Sequence, residues 1–84
     1  MTMSHQLPSA LTVSQRVELG DLLTGVQPAR LDWDHTTPRA VGLMVLWLQA
    51  RAPECYPQRR AIKRAGSFID ALALACLRVG GVLR

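Results

Sequence analysis

Residues 58–79, QRRAIKRAGSFIDALALACLRV, constrain the fold more than any other stretch of this chain. At about 100° per residue, Ile62, Ala65, Ile69, Leu72, Ala73 and Cys76 share one face, with Phe68, Leu77 and Val79 at its edges. Arg60, Lys63, Arg64, Ser67, Asp70 and Arg78 fall opposite. This division predicts a single long amphipathic helix. Ile62, Ala65, Ile69, Leu72, Cys76, Val79 and Leu83 also alternate steps of three and four, the spacing of a seam against a second helix. Small Ala65 and Cys76 allow that helix to approach closely.

A chain of 84 residues has room for one domain, and domains this small bury only about 60% of the surface their unfolded chains expose. Half of the residues are apolar but only four are aromatic, so the core must come from Leu, Val, Ala and Ile. That much aliphatic surface is hard to hide in so small a monomer, and a homo-oligomer or a protein partner is expected. Residues 1–10 show no periodicity and read as a flexible N-terminal arm, leaving 11–84 as a single helical domain.

Taken in order, the first helix should begin at Thr12. Thr12 and Gln15 have the form of a capping box, and Val13, Val17, Leu19, Leu22 and Leu23 supply its apolar surface. Gly25 suits a left-handed cap and Pro28 blocks an immediate restart. In the connection that follows, Leu31 and Trp33 should fold inward, with Asp32, Asp34 and His35 outward. Thr37 before Pro38 starts the second helix: threonine caps, and proline has no donor to waste in the first turn. Val41, Leu43, Met44, Val45, Leu46, Trp47 and Leu48 make this helix apolar almost all round, which places it at the centre, flanked by the first and third helices, or across a subunit interface. Pro53 and Pro57 bound a turn, and Gly80 and Gly81 close the last helix. The expected fold is all-α, a small three-helix bundle over residues 12–24, 38–51 and 57–80, with the second and third helices forming an antiparallel hairpin.

Ten Lys and Arg against six Asp and Glu give a net charge of +4, a balance that favours anionic partners. Nine of the ten are arginine, whose planar fork suits carboxylates and phosphates. Cys55 and Cys76 match neither a CxxC nor a zinc spacing and read as free thiols. No charged start precedes an apolar run at the N-terminus, and Asp70 and Arg78 interrupt the longest apolar stretch; neither a signal peptide nor a membrane span is expected, and the cytoplasm is the simplest location.

Residues 14–33 resemble the helix-turn-helix pattern of bacterial and phage repressors in Ser14-Gln15, Glu18-Leu19, Gly20, Leu22, Gly25-Val26, Leu31 and Trp33. The resemblance implies a DNA-reading second helix, to which this sequence would contribute Gln27 and Arg30. It departs from the pattern in an additional Thr24 in the turn, in Pro28 at the start of the second helix, and in Asp32 and Asp34, which would face phosphate. The densest positive patch is elsewhere: Arg59, Arg60, Lys63 and Arg64, with Arg51 across the turn. These five are the candidate partner-binding residues, and their clustering in the first turns of a long helix opposes its dipole. Met44, Trp47 and Leu74 are the candidate interface residues. Asp32, Asp34, His35 and Cys55 match no metal-site spacing, and Ser14 and Ser67 lack a nearby activating base. No catalytic, cofactor or metal site is therefore expected. The reading is a non-enzymatic regulator or adaptor that binds another protein, with DNA or RNA binding through the basic face as the alternative.

Overall fold

The computed structural model describes residues 11–23 and 35–83, and these form an all-helical assembly. Among the described residues there are four α-helices: α1 (Val13–Leu22), α2 (Pro38–Arg51), α3 (Arg59–Ala65) and α4 (Phe68–Val79). A 3-10 turn, Pro53–Cys55, follows α2. The expected arm at 1–10, and the connection carrying Gly25, Pro28, Leu31, Trp33, Asp32 and Asp34, lie outside the described residues.

The two expected helix starts form through their side chains. The Gln15 N–H donates to Thr12 Oγ1 at 3.1 Å while the Thr12 N–H donates to Gln15 Oε1 at 2.9 Å, the reciprocal bonds of a capping box. Thr37 Oγ1 accepts from the Ala40 N–H at 3.2 Å, with Pro38 in the first turn.

The long helix expected over 57–80 is broken. Gly66 adopts φ +97°, a left-handed conformation, and its N–H donates to the Ile62 carbonyl, which ends α3. Ser67 then caps a new helix, its Oγ accepting from the Asp70 N–H at 3.1 Å. Four helices thus replace three. The signal was local: a glycine followed by a serine that has an acidic residue three positions on is a stop and a start in succession. The seam periodicity persists across the break because a face can resume its spacing after the chain has turned.

The break also changes which helix lies at the centre. The expected arrangement put the second helix there, flanked by the first and third. The central position is taken instead by α4, the C-terminal part of the expected third helix, which packs against α1, α2 and α3, while α2 lies chiefly on α4. Ala71, Leu72, Ala73, Ala75, Cys76 and Leu77 are all buried, half of α4. Its alanines keep it slim enough for helices to close on several sides. The core joins these residues to Leu11, Leu19, Leu23, Met44, Trp47 and Leu48. α2 is less covered than its composition suggests, with Leu46 61% exposed.

Both ends of α4 are fixed. At its C-terminus the Val82 N–H reaches the Leu77 carbonyl at 2.9 Å and the Gly81 N–H reaches Arg78 at 3.2 Å, a Schellman motif with Gly81 at φ +85°. At its N-terminus Asp70 Oδ1 is hydrogen-bonded to His35 Nε2 at 2.9 Å. His35, expected outward, is 2% exposed, and Asp70, assigned to the solvent face of the long helix, turns towards it. The Tyr56 and Phe68 rings, 5.9 Å apart and tilted by 50°, join the turn before α3 to the start of α4.

Candidate partner-binding surface

α3 is seven residues long and carries Arg59, Arg60, Lys63 and Arg64, all four exposed. It has no fully buried residue; Ala61, Ile62 and Ala65 are half-buried on the side that meets α4. Among the described residues no carboxylate lies within salt-bridge distance of these four cations or of Arg78. Between residues 58 and 83 the sequence offers one acidic side chain, Asp70, and His35 engages it. Among the described residues the positive charge of α3 therefore has no carboxylate paired with it.

The break at Gly66 alters the local electrostatics. In one long helix all four cations would sit in the unfavourable first turns. In the short helix that forms, Lys63 and Arg64 occupy the last turn, where the carbonyl ends favour cations, and only Arg59 and Arg60 remain at the unfavourable end. Gln58 makes no side-chain cap there, so the first N–H groups of α3 stay available to water.

The other candidates separate by location. Arg51 stands over the Trp47 ring, its guanidinium carbon 4.6 Å from the centroid, so this cation serves its own helix. Met44 and Trp47, singled out as interface residues, are 0% and 3% exposed and belong to the chain's own core. Leu74 is half-buried and retains an open edge.

Two depressions flank α3. A groove of about 150 Å³ between α3 and α4 is lined by Ala61, Arg64, Ala65, Ala71, Leu74 and Arg78. A wider hollow of about 260 Å³ on the other flank is bordered by Tyr56, Gln58, Arg60 and Arg64, with Glu54 and Cys55 at one side. Ala61 and Arg64 belong to both, so Arg64 stands on the ridge between them. Neither hollow was visible from periodicity. The groove needs α3 folded back on α4: in a continuous helix Ala61 and Leu74 would be separated by about 20 Å along the axis.

The groups with chemical potential have structural partners. Ser67 is a helix cap, and His35 is held by Asp70. The Cys76 thiol is pushed up to about 12 by burial, and its Sγ lies 3.6 Å from the Met44 carbonyl, to which it donates. Cys55 is a free, exposed thiol. Among the described residues no three His, Cys, Asp or Glu side chains are grouped to hold a metal ion, and no helix is long and apolar enough to cross a membrane. Of the helix-turn-helix resemblance, only the first helix corresponds to described structure; its turn and second helix fall within residues 24–33, outside the described residues. No protein-family model, curated protein or solved structure matches the chain.

Proposed function

We propose that this chain is a small non-enzymatic regulator or adaptor that binds another protein through helical surfaces, with α3 as its charged face. The observation that carries this reading is the set of exposed cations, Arg59, Arg60, Lys63 and Arg64, on a helix that has no carboxylate within salt-bridge distance among the described residues. Electrostatic complementarity of this kind steers encounter and fixes orientation, while apolar contacts supply affinity. The exposed Val13, Val17 and Leu46 are available for such contacts and support self-association as part of the same reading. Two free cysteines, one of them exposed, suit a reducing compartment and support a cytoplasmic location.

The test is affinity capture of the chain and of its R60E/K63E/R64E variant after nuclease digestion. The expected result is one stoichiometric protein retained by the first and lost from the second. Recovery of nucleic acid alone would reverse the reading.

DNA or RNA binding is the second reading, favoured by Arg60 and Arg64 standing one helical turn apart with Lys63 beside them. It requires a mobility shift that weakens steeply with salt and disappears in the same variant. A shift that survives the triple substitution removes α3 from any such mechanism.

A further inference from the structure

We propose that the groove between α3 and α4 receives the exposed face of α1 from a second copy of this chain. The inference goes beyond partner binding by α3 and rests on a match between two surfaces that the monomer leaves uncovered.

The receiving surface has an apolar floor and a basic rim. Ala61 and Ala65 lie one turn apart on α3, and Ala71 and Leu74 lie one turn apart on α4, so the groove runs along both helices. Three of these four floor residues end at Cβ. That leaves a volume of about 150 Å³, similar to a cavity known to take up a benzene-sized group. One branched aliphatic side chain fits. Arg64 and Arg78, both exposed, border the floor and have no carboxylate within salt-bridge distance among the described residues.

The entering surface is the complement. The exposed residues of α1 are Val13, Ser14, Val17, Glu18 and Asp21, an arc that holds two valines and two carboxylates and no cation. Val13 is 73% exposed and Val17 60% exposed, one turn apart. These are large fractions for β-branched side chains on a helix that already buries Leu19 against the core. A copy that seats Val17 in the groove brings Glu18 to its rim, where the guanidinium groups are.

This occupant fits better than a nucleic acid. The floor offers no donors to a phosphate, and no aromatic ring lines it for a base to stack on. A single helix-in-groove contact falls short of the ~1,200 Å² of a stable interface. Two reciprocal contacts, α1 of each copy in the groove of the other, double the area and give a closed two-fold dimer.

The experiment is sedimentation velocity over a concentration series, with circular dichroism to verify folding. The variants Val17→Asp, Glu18→Arg and Arg78→Glu are at exposed positions and leave the α3 cations intact. Unmodified chain should dimerise. V17D should be monomeric, E18R and R78E should each weaken association at least tenfold, and an equimolar mixture of E18R and R78E should regain it through the exchanged charges. An unmodified chain that stays monomeric throughout overturns the proposal, as does a dimer indifferent to all three variants. If the chain is monomeric but R78E and the α3 variant both lose a captured foreign protein, the groove belongs to that partner and the second-copy assignment is wrong. If dimerisation follows the predicted pattern while capture yields no protein, self-association stands and the adaptor reading fails.

Discussion

His35 Nε2 and Asp70 Oδ1 are 2.9 Å apart and join residues that are 35 positions distant in sequence. His35 precedes the Thr37 cap of α2, and Asp70 is in the first turn of α4, so one bond fixes the starts of two helices against each other. Asp70 gains additionally from its place at a helix N-terminus, where the backbone donors favour a carboxylate. Removing either partner deletes this bond, which His35 makes from a buried position and Asp70 from a half-buried one. His35→Ala and Asp70→Ala should each cost about 1–3 kcal/mol in urea unfolding. The double variant should cost less than their sum, since either single change already removes the shared bond. Strict additivity would show that the pair does not couple the helices.

Gly66 provides a test of the helix break. A Cβ at this position would meet nothing within 4 Å, so any penalty comes from the backbone alone. At φ +97° an L-side chain is disfavoured, and Gly66→Ala should lose about 1–2 kcal/mol, measured as a lower urea midpoint with an unchanged slope. Gly66→Asn should lose less, because asparagine tolerates left-handed caps better. Equal stability of the alanine variant would mean that the chain can pass from α3 to α4 as one helix.

At Gly80 the limit is steric. A Cβ there would lie 2.6 Å from Leu22 Cδ1 and 2.8 Å from Leu22 Cδ2, where the end of α1 crosses the end of α4. Gly80→Ala should therefore destabilise by about 1–3 kcal/mol through overpacking. Leu22→Ala in the same chain should recover part of that loss by vacating the space, a non-additivity that thermal unfolding of the four chains would read. Absence of any rescue would place the conflict elsewhere, at the Cys76 carbonyl 3.2 Å away.

Burial of Cys76 makes a prediction in alkali. The folded thiol is raised from 9.0 to about 12, so between those values the unfolded chain loses its proton while the folded chain keeps it. Stability from this group is complete below pH 9 and declines as pH rises, by about 1.4 kcal/mol per pH unit in the window. Cys76→Ala should be less stable at neutral pH, from the lost volume, yet should lack this component of the alkaline decline. Native protein should meanwhile present only the Cys55 thiol to a bulky disulfide reagent, Cys76 reacting after unfolding. Two fast equivalents would contradict the burial.

Helical content, the caps at Thr12 and Thr37, the closing glycines and the aliphatic core follow from the sequence because each depends on neighbours within about one turn. Gly66-Ser67 with Asp70 is equally local, but the long apolar seam running across it points to a single rod. The basic cluster could be read directly, and its four α3 members are exposed together. Its setting could not be read: Arg51 is diverted to Trp47, while Lys63 and Arg64 gain a helix end by the break.

Composition and short-range spacing thus determined which segments become helical and which bear charge. Tertiary structure decided that α4 is central, that His35 is sheltered by pairing with Asp70, and that a hollow opens between two helices expected to be one. The physical reason is range. A cap or an amphipathic face is fixed by residues a turn apart, whereas burial and groove shape depend on side chains brought together only after the chain has doubled back at Gly66.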